Sequence, residues 1–466
     1  MVSRKMYVLV ILALLNSCSP TITVNTPSAT PSVIVTSPSP TSLINSSSSP
    51  LPVATSTPIP IPSNLSTLSF EEIKQITDSN IVKADNTFGI NLYKEIVKEQ
   101  VNENLFISPV SVALAMHITY NGADGNTKDE MTKTLKLDNL SLENVNSLNN
   151  LLVKKLINPS ADIRLDVANS LWFDKNRFTF KDDYKKNVTN YYNAESNERN
   201  FSDPATVTAI NNWASQNTNG KIPEVIKGID KDVVGYLINA VYFKADWTEK
   251  FDKTQTELRE FTLADGSKKN VMMMSDFRTY KYFNKARSSY PNPYDPTLGF
   301  EGIELTYGKE ANVSLIMFLP DAKSSLEKFY SQLNEENLEK WLGGFYRNEG
   351  YISFPKFKNE WNRNISNNIR NMGIREAFSP LTAQFEKMGT SSLGNVYISK
   401  VLHNSYVDVN EEGTEAAAVT VIETAAASSA PTARFVADRP FFYIIRDNQT
   451  KSILFMGAVN DPKYEN

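Results

Sequence analysis

Side chains able to do nucleophilic or metal chemistry are scarce in this 466-residue chain, which has two histidines, His117 and His403, and one cysteine, Cys18. A Ser-His-Asp relay needs an imidazole beside a serine on a sharp strand-to-helix turn, and neither histidine comes with a G-x-S-x-G elbow. His117 lies inside the apolar helical run SVALAMHITYNGA, where a packed or hydrogen-bonded histidine is expected. Two His and one Cys cannot complete a zinc site without carboxylates, and a lone cysteine cannot close an internal disulfide. Met272, Met273 and Met274 offer soft sulfur, but methionine is also adaptable core filler, and the run reads as a strand end without a metal. There is no G-x-x-x-x-G-K-[ST] loop, no H-E-x-x-H and no glycine-rich dinucleotide turn. The 48 basic and 52 acidic residues are scattered, giving neither a nucleic-acid footprint nor a polybasic membrane patch. No enzyme and no cofactor is expected.

What the sequence does offer is a proline-free stretch from Thr414 to Ala430 with an alternating pattern. Counted by twos, Thr414, Ala416, Ala418, Thr420, Ile422 and Thr424 share one face, all small or apolar. Glu415, Ala417, Val419, Val421 and Glu423 share the other. Such a segment fits a strand half buried in a sheet whose core side admits modest side chains, and Gly413 supplies a permissive pivot at its start.

The elements around it divide in two. Order is expected from Ser69, where Ser69 and Glu72 form a capping-box pattern, followed by a helix with Phe88, Leu92 and Ile96 spaced by four. Helices dominate the first third. Later, VGYLINAVYFK (234–244), NVSLIMFLP (312–320), YISFPKF (351–357), FFYIIRD (441–447) and KSILFMGAV (451–459) are rich in β-branched and aromatic residues and predict strands. Helices first and strands later, without a short βα period, predict an α+β domain with large, mainly antiparallel sheets.

Ahead of this domain, Arg4 and Lys5 precede a ten-residue apolar run, Met6 to Leu15. Its length suits an export signal, about 7–15 residues, and falls short of the ~20 needed to span a bilayer. Leu15-Asn16-Ser17-Cys18 resembles the bacterial lipoprotein cleavage box, which implies lipidation of Cys18; an ordinary secreted protein is the alternative. From Ser19 to Thr67, 32 of 49 residues are Pro, Ser or Thr, and no charge appears between Lys5 and Glu71. A disordered stalk follows from that composition. The expected organisation is a signal peptide over 1–17, a lipidated stalk over 18–68 and a folded domain over 69–466, held at a bacterial cell surface or envelope.

Seven motifs in order carry a family resemblance: NLFISPVSVALAM (104–116), NGADGNTKDEM (121–131), INNWASQNTNGKI (210–222), NAVYFKADWTEKF (239–251), FPKFK (354–358), NMGIREAF (371–378), and NEEGTEAAAVTVIETAAASSAPTARF (410–435) with the strands after it. From about residue 85 to 462 the chain resembles the serpin family. The resemblance implies a serpin fold, about nine helices around three largely antiparallel sheets, with an exposed reactive-centre loop before the C-terminal strands. Lys285 to Phe300, KARSSYPNPYDPTLGF, is longer than the family usually shows and reads as a surface loop.

In inhibitory members a serine protease cleaves the loop, forms an acyl-enzyme and is carried along as the loop inserts into the largest sheet. Carried over, the hinge comprises Glu411, Glu412, Gly413, Thr414, Glu415, Ala416, Ala417, Ala418, Val419 and Thr420. The cleaved bond falls at Ala427-Ser428, within one or two residues. The tiny Ala425, Ala426 and Ala427 suit the shallow pocket of an elastase-like or subtilisin-like protease, and Arg434, beyond Pro431, is discounted as bait. Ser108, Pro109, Ser111, Asn239 and His403 match the region where the central strands part, and Trp247 matches a residue near the point of loop insertion. The expectation is a monomeric, surface-tethered suicide inhibitor of serine proteases; the alternative is a noninhibitory binding or adhesion module on the same fold.

Overall fold

The computed structural model describes residues 68–464 apart from 101, 158–161, 289–294, 393 and 415–432. Its first helix, Phe70–Asp78, starts at the capping box: the Glu72 amide donates to Ser69 Oγ, and the Ser69 amide donates to the Glu72 carboxylate at 2.8 Å. The helix Ile81–Val97 buries Phe88, Leu92 and Ile96. It crosses the helix Pro109–Tyr120 so closely that a Cβ on Gly89 would lie 2.2 Å from the Pro109 Cβ. Pro109–Tyr120 is buried on all sides, the pattern of a helix inside a core. On it, His117 meets Asn149 at 2.9 Å and Asp85 at 3.5 Å, and burial lowers its pKa to about 4.

Among the described residues there are eleven α-helical segments and three sheets. The largest runs Leu105–Ile107, Ile453–Val459, Phe441–Asp447, Val313–Pro320, Phe300–Tyr307, Lys268–Asn284, Tyr346–Pro355, Ala433–Val436, with Glu257–Thr262 also paired to Lys268–Asn284. The second, of six strands, runs Phe357–Asn364, Lys400–Asn410, Gly413–Thr414, Gly235–Asp246, Ile163–Asp174, Glu195–Arg199. Gly389–Ser391 and Phe178–Phe180 form the third. Three pairings are parallel and the rest antiparallel. Helices gather before residue 217 and strands after it, an α+β arrangement.

Two local expectations need correction. YISFPKF is two strands in two sheets: one ends at Pro355, whose ring nitrogen has no hydrogen to donate, and the next begins at Phe357. The methionine run lies within a 17-residue strand instead of at its end, with Met273 and Met274 fully buried. Of the Lys285–Phe300 stretch, the described part holds a short helix, Lys285–Ser288, and a turn in which Asp295 accepts from the Thr297 amide.

Candidate functional site

In the six-stranded sheet, Gly235–Asp246 and Lys400–Asn410 run parallel and pair directly over seven positions, from Lys400↔Tyr236 to Tyr406↔Tyr242. Beyond Tyr406 they part. The chain leaves the second strand at Asn410, reverses at Glu411–Glu412 and returns between them as the two-residue strand Gly413–Thr414. That strand is antiparallel to both neighbours: Thr414 faces Val409 and Ala245, and Gly413 faces Asn410 and Asp246. Only glycine fits at 413, since φ is +149° and a Cβ would sit 2.1 Å from the Ala245 carbonyl oxygen. Thr414 is fully buried, its Oγ1 2.9 Å from the Tyr307 hydroxyl.

The reversal is gripped from both sides. Trp247 donates its backbone N–H to the Glu412 carbonyl at 2.9 Å and its indole N–H to the Asn410 carbonyl at 2.8 Å, while its ring stacks on Tyr307 at 4.3 Å. Glu411, nearly buried, meets Lys356 at 3.0 Å and accepts from Thr256 Oγ1 at 2.9 Å. Glu412 meets Lys250 and Lys253, each at 2.9 Å. Burial alone would raise the Glu412 carboxyl, but these two ammonium groups hold it below the usual range. The cations Lys250, Lys253 and Lys356 and the ring of Tyr307 escaped the sequence reading. Two adjacent glutamates entering a core demand cations, and that was the available signal; which lysines answer it depends on contacts across the fold.

Lower in the same sheet, Ser108, Ser111, Asn239 and His403 form one buried polar cluster with Asn169. The Ser108 amide donates to His403 Nε2 at 3.1 Å, so the imidazole proton is on Nδ1, which donates to Asn239 Oδ1 at 2.5 Å. Asn239 Nδ2 then donates to Ser111 Oγ and to Asn169 Oδ1, the latter at 2.8 Å. Because His403 and Asn239 are register partners on the two central strands, this hydrogen bond ties the strands together where they pair directly. Pro109 has no polar side-chain group to contribute; it opens the helix and packs on Gly89.

Burial lowers the His403 pKa from 6.5 to about 3. The unfolded chain therefore binds a proton that the folded chain refuses between those values, and stability is lost as pH falls from about 6.5 toward about 3, by up to about 1.4 kcal/mol per pH unit. His117 adds a similar slope down to about 4. Thermal midpoints measured from pH 7 to 4 are expected to fall less steeply in His403→Gln than in the wild type; equal slopes would contradict the buried neutral imidazole.

The structure thus brings together Glu411, Glu412, Gly413, Thr414 and Trp247 at the upper end, and Ser108, Ser111, Asn239 and His403 below. Glu415, Ala416, Ala417, Ala418, Val419, Thr420, Ala427, Ser428 and Cys18 lie outside the described residues.

Comparison with known proteins gives a family model described as Serpin (serine protease inhibitor), matching residues 83–462. The leukocyte elastase inhibitor of Xenopus laevis is 32% identical over 393 residues, covering 82% of this chain and 100% of that protein. A serpin-like protein of Methanosarcina acetivorans is 30% identical over 420 residues, 86% of this chain and 93% of its own. Among solved structures, the native state of the thermophilic serpin tengpin superposes with a TM-score of 0.74 at 32% identity, covering 85% of this chain and 95% of that one.

Proposed function

Because the chain belongs to the serpin family, we propose that it is a suicide inhibitor of serine proteases that acts by inserting its cleaved loop between Gly235–Asp246 and Lys400–Asn410, in the six-stranded sheet instead of the largest, nine-stranded one. The observation that carries this reading is the two-residue strand Gly413–Thr414, already antiparallel to both neighbours at the point where they part. Continued in that register, each further residue makes antiparallel pairs on both sides, and from the third residue, Ala417, which comes opposite Tyr406 and Tyr242, each also displaces one parallel pair. Parallel pairing is slightly the weaker per residue, and two ladders replace one. Six residues on from Thr414, Thr420 comes opposite His403 and Asn239. A small polar side chain then replaces the broken Asn239–His403 hydrogen bond on the core face. The outward face receives Glu415 and Glu423, which need not be buried.

Insertion consumes the inhibitor, so no turnover is part of this function. The target class, elastase-like or subtilisin-like, follows from Ala425 to Ala427, because a shallow primary pocket accepts alanine; the similarity to leukocyte elastase inhibitors supports the elastase-like choice. Incubation with pancreatic elastase or subtilisin, followed by denaturing electrophoresis, tests the reading. A covalent band near the summed mass is expected. A chain that is merely nicked, or left intact, would sink it, the intact result favouring a noninhibitory binding module.

We also propose that Cys18 is lipidated and that the uncharged stretch to Leu68 holds the inhibitor clear of a bacterial envelope. About two lipid signals suffice for stable anchoring. Expressed in a lipoprotein-processing bacterium, the wild type is expected in the membrane fraction and Cys18→Ala in the soluble one; unchanged membrane partition would count against lipidation.

A further inference from the structure

Arg434, too far past the alternating segment to be its bait, lies on the short strand Ala433–Val436, exposed, with its guanidinium 5.3 Å from the centre of the Tyr351 ring. It makes that ring contact and no ion pair among the described residues. Arg259 approaches the same ring, 5.9 Å from its centre, and donates to the Tyr351 hydroxyl. Tyr351 is the register partner of both Arg434 and Phe277, and directly paired residues share a sheet face. Phe277 is 46% exposed, one of four large apolar side chains left so open among the described residues. One sheet face therefore presents Phe277, Tyr351 and two guanidiniums; Tyr and Arg are enriched in binding hot spots and Phe in interface cores. Arg259 has Glu257 at 3.2 Å, which leaves Arg434 as the unmatched charge.

We propose that this face is a second contact surface for the protease that attacks the loop. The inference rests on the inhibitor reading above, because the argument for the occupant is reach. Arg434 is six residues beyond Ser428, so its backbone lies within about 21 Å of the reactive bond along the chain. A globular enzyme of about 250 residues has a radius of gyration of about 18 Å, so one docked on that bond overhangs the face. The partner that fits is a protease carrying a carboxylate opposite Arg434 and an apolar recess for Phe277 beside its leaving-group side. Such a contact acts on encounter and orientation, before cleavage, and leaves the insertion step untouched.

The test measures the second-order association rate and, separately, the number of inhibitor molecules consumed per protease, with pancreatic elastase and with subtilisin. Arg434→Glu is expected to slow association about tenfold at low salt with at least one of the two enzymes, the difference shrinking in 1 M NaCl where charges are screened. Phe277→Ser should slow it several-fold at any salt, and Arg434→Lys should stay near the wild-type rate. Molecules consumed per protease should not change in any variant. Rates within twofold of wild type with both enzymes would overturn the proposal. So would a raised consumption, which would place these residues in loop support, or a wild type that dimerises through this face and loses the dimer in the variants. A wild type that traps neither enzyme would instead sink the inhibitor reading, and this inference with it.

Discussion

Thr414→Arg is expected to turn the inhibitor into a substrate, raising the number of molecules consumed per protease trapped by tenfold or more. Thr414 is fully buried between Val409 and Ala245, with its hydroxyl on Tyr307 and the stacked Trp247 beside that ring. A guanidinium there would be buried against the Tyr307 and Trp247 rings, and an uncompensated buried charge costs about 3–5 kcal/mol. The two-residue strand would be expelled and the first step of insertion blocked, while cleavage at the loop would proceed. Thr414→Ser, which keeps the hydroxyl and the size, should trap protease as the wild type does. The gel readout is a nicked chain without the covalent band. Full stoichiometric inhibition by Thr414→Arg would contradict the insertion path.

Replacing Ala427 by Arg should transfer inhibition from elastase-like to trypsin-like enzymes, with discrimination shifting by orders of magnitude. A trypsin-like primary pocket holds a carboxylate that pairs with the guanidinium, and a shallow pocket would be overfilled. Stability of the uncleaved chain should change by no more than about 0.5 kcal/mol, as for surface substitutions generally. Mass spectrometry of the released C-terminal peptide fixes the bond: it should begin at Ser428 or within two residues. A peptide beginning at Phe435 would make Arg434 the bait, and the proposed target class would fall with it. Phe435 is fully buried, and Ala433–Val436 is paired along its length to Gly350–Ser353, a poor substrate for a protease cleft.

How much of this could be read in advance differs from residue to residue. The capping box at Ser69 and the strands 235–246, 313–320, 441–447 and 453–459 were legible because they depend on spacing and side-chain shape within a few residues. The break in YISFPKF was not, since Phe354 and Phe357 are both fully buried apolar residues and only sheet membership separates them. In the site, Gly413 was legible as a pivot because glycine's freedom is local. Its purpose is not local: the carbonyl that excludes a Cβ belongs to Ala245, far back in the sequence. Likewise Asn239 and His403 were placed in one region by family resemblance alone. The proton on Nδ1 and the bond it makes appear only once Ser108 is seen to donate to Nε2. Ion pairs from Glu411 and Glu412 to Lys356, Lys250 and Lys253 join elements that composition cannot connect.

Parting of the two central strands is the step on which the proposed insertion depends, and it can be locked. Ala240 and Asn404 are register partners across them. Neighbouring strands lie about 4.8 Å apart, within the roughly 4.4–6.8 Å between Cα atoms that a disulfide spans. In a Cys18→Ala background, which removes the chain's only cysteine, Ala240→Cys with Asn404→Cys gives a switchable clasp. The measurement is covalent complex formed per cleavage event, on the oxidised and the reduced protein. The predicted result is cleavage without complex when oxidised and recovered trapping after reduction; an oxidised chain that traps as much protease as the reduced one would contradict insertion between these strands.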